Sequence, residues 1–200
     1  YDNVTFSDSS QSSSAVNSWQ WDFGDGSVSS LESPWHAYST PGTYNVTLIA
    51  SNSIGCIDTV TKPVTVYPYP LAGFATEPVC EGDTLALNDQ SSAGGGSVVT
   101  QWAWDFGDGG KSALQEPSHV FPSCGAYDIT LIATSDKGCS DTLKKNYTVN
   151  CNPSASFAVS GAGCMNIPVL LHDSSAVQAD ALSAWLWDFG DGTTSSVQAP

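Results

Sequence analysis

The chain has no arginine and only five lysines against twenty acidic residues, a formal net charge of −15. Nucleic acids and anionic membrane surfaces reward basic patches, so neither is expected as a partner. Charge of either sign is scarce at 12%. Ser, Thr, Gly and Asn carry the solvent-facing positions instead, which suits a secreted β protein. No run approaches 18 apolar residues, so no membrane span is expected in this segment. There is one methionine, no Cys-x-x-Cys pair, and no His near a cysteine at ligand spacing, which argues against zinc. Six cysteines in such a chain point to an oxidising, extracellular compartment. No secretion signal is visible; Tyr1-Asp-Asn-Val4 opens in mid-pattern, so any signal is expected upstream.

What is present is a repeat. Trp19-Gln-Trp-Asp-Phe-Gly-Asp-Gly26 returns as Trp102-Ala-Trp-Asp-Phe-Gly-Asp-Gly109 and as Trp185-Leu-Trp-Asp-Phe-Gly-Asp-Gly192. Trp21, Trp104 and Trp187 stand 83 residues apart, so one module recurs and function belongs to the array. Trp19, Trp21 and Phe23 share one parity, so a pleated strand sends all three to one face. Gly24-Asp25-Gly26 then tolerates the positive φ of a tight turn. A core tryptophan strand ending in a turn is the expectation, with an aromatic ligand platform as the alternative. Trp21, Phe23, Trp104, Phe106, Trp187 and Phe189 are the core motif.

Taken in order, Val4–Ser10, Leu85–Ser92 and Val169–Ser175 each read as a strand before the Trp strand. The connecting loop varies in length and is longest at Gly94-Gly-Gly96, as exposed connections do. Tyr44-Asn-Val-Thr-Leu-Ile-Ala50 and Tyr127-Asp-Ile-Thr-Leu-Ile-Ala133 alternate with period two and are the clearest strands. Thr59–Val66 and Thr142–Val149 follow, and Pro63 marks the first as an edge or a bulge. Tyr67-Pro-Tyr-Pro70 and Asn150-Cys-Asn-Pro153 are short proline-bearing linkers, expected to hold neighbours semi-rigidly. The expected domains are 1–67, lacking its first strand; 68–151, complete; and 152–200, an N-terminal half. The chain reads as a window on a longer array.

Trp-Asp-Phe-Gly-Asp-Gly, then Pro34-Trp-His-Ala-Tyr38 or Pro117-Ser-His-Val-Phe121, then Pro41-Gly-Thr-Tyr-Asn-Val-Thr-Leu48, resembles the PKD (polycystic kidney disease) domain family. The resemblance covers essentially the whole chain. It implies an all-β fold of tandem immunoglobulin-like sandwiches, about seven strands each, arranged end to end. Gly55-Cys-Ile-Asp-Thr59 and Gly138-Cys-Ser-Asp-Thr142 are similar to stretches of tandem arrays in large bacterial gliding adhesins and type IX secretion cargo. Cys124 departs from the pattern, standing where the first repeat has Pro41.

In a sandwich of that order Cys124 and Cys151 fall at one end of the second domain, while Pro41 and Pro68 stand in the first. They are expected to form a disulfide, which stabilises by about 3 kcal/mol through chain entropy. Cys80, echoed by Cys164, and Cys139, echoed by Cys56, leave two alternatives. One is a Cys80–Cys139 bond within the domain; the other joins the early cysteine of one repeat to the late cysteine of the next.

Asp22, Asp25, Asp105, Asp108, Asp188 and Asp191 are where calcium would be seeded, yet Asp beside Gly is ordinary turn chemistry. No metal, cofactor or catalytic residue is expected. His36 and His119 recur without a recurring Ser, Cys or acid partner and read as structural; His172 has no counterpart. Asn3, Asn45 and Asn146 lie in Asn-x-Thr sequons. Thr59, Thr84 and Thr142, in Asp-Thr-aliphatic triplets, resemble the O-glycan acceptors of the same bacterial group. The expected function is a structural segment of an extracellular filament, stalk or adhesin, partnered by neighbouring repeats, copies of itself or surface glycans. The alternatives are a polymer-binding accessory module of a secreted hydrolase, with Trp35 as its exposed aromatic, and a secreted enzyme.

Overall fold

The computed structural model describes residues 3–161, 163, 167–178 and 181–200, and every regular element among them is a β-strand. The first repeat supplies β1 (Val4–Thr5), β2 (Val16–Asp22), β3 (Val28–Ser29), β4 (Trp35–His36), β5 (Gly42–Asn52) and β6 (Ile57–Val66). The second supplies β7 (Phe74–Thr76), β8 (Thr84–Asp89), β9 (Val99–Asp105), β10 (Lys111–Ser112), β11 (Ser118–Val120), β12 (Gly125–Ser135) and β13 (Ser140–Val149). The third supplies β14 (Phe157–Ser160), β15 (Leu170–Asp173), β16 (Trp187–Asp188) and β17 (Thr194–Ser195). By proximity the chain falls into two compact units: Tyr1–Ala72 with Ser91–Gln101 and Ala133–Asp141, and Gly73–Gln90 with Trp102–Ile132 and Thr142–Pro200.

The second repeat has the seven strands that the resemblance implies, in two sheets ordered β10-β9-β12-β13 and β11-β8-β7. Alternation along each strand decides what lies between them. Phe74, Leu85 and Leu87 come from one sheet; Trp104, Ile129, Leu131 and Val149 come from the other, and none is more than 2% exposed. The Phe74 and Trp104 rings meet edge to face with centroids 5.2 Å apart, one from each layer. Each side chain so buried contributes roughly 1.5–3 kcal/mol from apolar transfer, which makes this the core of the fold. Lys145 closes one side: its ammonium donates to the Phe74 carbonyl at 2.6 Å and lies 4.7 Å from the Phe74 ring centroid.

The first repeat has the same four-stranded order, β3-β2-β5-β6, with β1 paired to β4. Trp21, Phe23, Tyr38, Val46 and Leu48 form its buried cluster, flanked by half-buried Val4, Phe6, Trp19, Tyr44, Val64 and Val66. Pro63 faces Asn45 in an unbroken β5–β6 register, and β6 is the outer strand. The edge therefore accommodates this proline and no bulge is needed. In the third repeat β14 pairs with β15 and β16 with β17.

Candidate functional site

The recurring octamer builds one device three times. The strand ends in two aspartates that turn back onto backbone N–H groups. Asp22, Asp105 and Asp188 accept from the amides of Gly24, Gly107 and Gly190 at 2.9, 3.0 and 2.9 Å. Asp25, Asp108 and Asp191 accept from those of Ser27, Gly110 and Thr193 at 3.0, 2.8 and 2.9 Å. These are Asx turns, which hold the chain where glycine supplies the positive φ. At Gly107 (φ +83°) a Cβ would also lie 2.8 Å from the Asp128 carbonyl oxygen, so glycine is required for space as well.

The tryptophans are fixed at their polar edges. The indole N–H groups of Trp21, Trp104 and Trp187 donate to the carbonyls of Leu31, Leu114 and Val197, each at 2.9 Å. Those of Trp19, Trp102 and Trp185 donate to the carboxylates of Asp8, Asp89 and Asp173 at 2.8, 2.8 and 2.9 Å. The second set of partners was not singled out from sequence. Their signal was present: an Asp ends or closely follows each strand before the Trp strand, but variable loops take it out of the 83-residue register. Hydrogen bonds from the Ser175 hydroxyl and amide, with the Trp185 indole, lower Asp173 to about 2.

The histidines correct an expectation. Nε2 of His36 lies 2.7 Å from Asp25 Oδ2, and Nε2 of His119 lies 2.7 Å from Asp108 Oδ2. An acid partner therefore recurs with each histidine, at the second Asp of the octamer. The two lie 11 positions apart with β3 or β10 between them, so only the fold brings them together. Each ring also stacks on the octamer phenylalanine, Phe23 at 4.3 Å or Phe106 at 4.1 Å, and meets Tyr38 or Phe121 edge-on at 4.7 Å. With faces covered and Nε2 engaged, the imidazole pins the turn to β4 or β11. The His36 hydrogen bond holds the Asp25 carboxyl below its ordinary value. At Asp108 burial opposes ionisation, and the bonds from His119 and Gly110 outweigh it. Tyr38, whose hydroxyl donates to the Phe23 carbonyl at 3.0 Å, is pushed up to about 12, mainly by burial. Among the described residues no three His, Cys, Asp or Glu side chains gather as a metal site.

The structure joins Cys124 to Cys151, with Cα atoms 4.7 Å apart, beside Glu81, which accepts from the amides of Cys124 and Asn152. Cys56, Cys80 and Cys139 are free thiols, and Cys164 lies outside the described residues. A Cys80–Cys139 bond within the repeat is overturned. Cys80 is bridged to Asn150, just beyond the end of β13, whereas Cys139 immediately precedes that strand's first residue. Ten residues of extended chain put roughly 30 Å between them, against the 7 Å that a disulfide allows. The glycan candidates Thr59, Thr84 and Thr142 are exposed, as are Asn3, Asn45 and Asn146. Trp35 is 65% exposed.

A family model described as the PKD domain matches residues 2–66 and 68–151. The chain is 28% identical over 137 residues to the pre-pro-metalloprotease PrtV of Vibrio cholerae, covering 68% of this chain and 15% of that protein. It is 28% identical over 167 residues to human polycystin-1, covering 80% of this chain and 4% of that one. The crystal structure of the PKD1 domain of Vibrio anguillarum Epp covers 44% of this chain and all of that one, at 26% identity and a TM-score of 0.40. The chain thus spans only a small part of the length of these curated relatives. The octamer, its turn and the two-sheet core agree with that match, and the chain belongs to the PKD domain family.

Proposed function

We propose that the chain is a non-enzymatic spacer: a run of PKD repeats, bounded near 67/68 and 151/152, that forms part of a long extracellular filament, stalk or adhesin. The observation that carries this reading is that the octamer carboxylates and indoles, and the histidines that follow them, are engaged in holding the fold. The octamer carboxylates satisfy turn amides, the histidines pin those turns, and the indoles are hydrogen-bonded to the chain itself. The Cys124–Cys151 disulfide supports an oxidising compartment. Neighbouring repeats and other copies are the proposed partners. Small-angle scattering on chains of increasing repeat number tests the reading. Eleven-residue strands rise roughly 36 Å, so each added repeat is expected to lengthen the particle by about 40 Å. A maximum dimension that fails to grow with repeat number overturns it.

Exposed Trp35 favours a second reading, an accessory module that holds a polymer for a secreted hydrolase. The relatives named as a metalloprotease, and as a microbial collagenase of Vibrio alginolyticus (37% identical over 69 residues), are consistent with it. Cosedimentation with insoluble chitin or collagen fibrils, lost in Trp35→Ala, would support this reading. Absence of cosedimentation leaves the spacer.

A further inference from the structure

Two thiols, Cys80 and Cys139, have no partner within their own repeat, and each sits at an opposite end of it. The internal repeat shows what each end faces. In the second repeat the segment around Cys80 rests on three neighbours. Cys80 is bridged to Asn150, the Gly82 amide donates to the Phe121 carbonyl at 3.3 Å, and the Cys124 amide donates to Glu81 at 3.0 Å. Shifted by the 83-residue period, Asn150, Phe121 and Cys124 become Tyr67, Tyr38 and Pro41. Within the first compact unit these three line a cavity of about 330 Å³, and Cys139 lines it with them. The turn that carries Cys139 is held there by Lys137, whose ammonium lies 5.5 Å from the Tyr67 ring centroid. The place that the Cys80 segment takes in its own repeat is, one period earlier, a cavity faced by a thiol of the following repeat.

We propose that Cys80 and Cys139 are the two halves of an inter-repeat disulfide. Where two such repeats follow each other, a cysteine at the Cys80 position of the first bonds the one at the Cys139 position of the second. The seat takes an extended Val-Cys-Glu-Gly segment, which docks on the residues around Tyr38 and Tyr67 as Val79–Gly82 dock around Phe121 and Asn150. Closing the bond joins two sulfurs and releases two protons and two electrons to a disulfide-bearing oxidant, itself reduced to two thiols. A joint closed this way is covalently limited in its bending. The inference uses the array reading only in needing two consecutive repeats, which this chain contains.

The test is a thiol-exchange race on the whole 200-residue chain. The probe is a peptide of the sequence Glu77–Asp83, its cysteine activated as a mixed disulfide with thionitrobenzoate. Attack by a protein thiolate on the peptide sulfur forms the new disulfide and releases the coloured thiolate, and peptide mapping locates the bond. Cys56 is exposed and Cys139 only partly so. Chemistry without recognition therefore labels Cys56 first. Docking is expected to reverse that order, with Cys139 at least ten-fold faster. The reversal should be absent for a scrambled peptide and lost in Tyr67→Ser. Labelling of Cys56 first, or equal rates for the two peptides, overturns the proposal. Because the race reads only this seat, its failure leaves the scattering test of the spacer untouched.

Discussion

The second and third repeats carry the same octamer in different surroundings. Trp104 and Trp187 pair with Ser112 and Ser195 in the same register, donate to a carbonyl ten residues on at the same 2.9 Å, and precede the same Asx turn. Yet Phe74 and Phe106 are each 2% exposed, whereas Phe157 and Phe189 are 58% and 44% exposed. Val46, Leu48 and Val66 of the first repeat stand where the second core has Ile129, Leu131 and Val149, on β12 and β13, whereas the same positions of the third repeat fall outside the 200 residues. The turn and its hydrogen bonds are therefore a local property of about 25 residues. Burial is a property of strands that arrive later in the chain. Local bonding without the remaining strands of the tryptophan's sheet leaves most of the apolar transfer energy unrealised.

The largest test of this comparison is truncation of the two tryptophans. Trp104→Ala is expected to cost about 4 kcal/mol and to unfold the second repeat's core, because a fully buried indole leaves a cavity. Trp187→Ala should cost less, since its side chain is only partly buried and the Phe157 ring it meets is 58% exposed. Hydrogen exchange resolved by repeat is the measurement, because the unfolding of several domains is not two-state. Equal costs would show that the octamer, and not the completed sheet around it, carries the energy.

Next is the covalent difference. Reduction, or a Cys124→Ser/Cys151→Ser double variant, is expected to lower the second repeat's stability by about 3 kcal/mol and to leave protection of β14–β17 unchanged. Smaller again is glycine replacement. Gly107→Ala and Gly190→Ala both force a residue into left-handed backbone, at about 1–2 kcal/mol. Only Gly107 also meets a carbonyl oxygen at 2.8 Å, whereas Gly190 has open space, so Gly107→Ala should cost measurably more in urea titration.

Acid sharpens the comparison further. Asp108 and Asp173 are both held below the ordinary carboxylate value, so the unfolded chain takes up their protons at higher pH than the folded one. Their stabilisation is complete above the ordinary value near 4 and is lost as pH falls toward the folded value, about 2 for Asp173. Urea midpoints measured from pH 6 to pH 2 should fall in that window. In His119→Phe the Asp108 share of the fall should shrink, while the Asp173 share persists. The smallest effect concerns Ser135, a buried hydroxyl without a hydrogen-bond partner. Ser135→Ala removes that desolvation cost and should leave stability unchanged or raise it by about 1 kcal/mol.

The strands were legible because their alternation is strict. Tyr44–Ala50 and Tyr127–Ala133 bury every second residue, as their period-two pattern dictates. The Asx turns were legible for the same reason: their partners lie two residues away. The His–Asp pair and the indole–carboxylate pair were not. The His–Asp spacing is the same in both repeats, yet a contact across 11 residues depends on how the turn folds back on β4 or β11. The indole–carboxylate spacing changes with the loop between the two strands, which erases its periodic trace.

By itself the sequence determined the repeat, its strands and the positive-φ turns, since these follow from side-chain parity and short-range sterics; the nearness of Cys124 and Cys151 came with the fold that the resemblance implies. Only the tertiary structure decided which tryptophans are dry, that His119 meets Asp108, and that Trp102 meets Asp89. Those outcomes are set by layer packing and strand length, and the distances that fix them are not written in any short segment of chain.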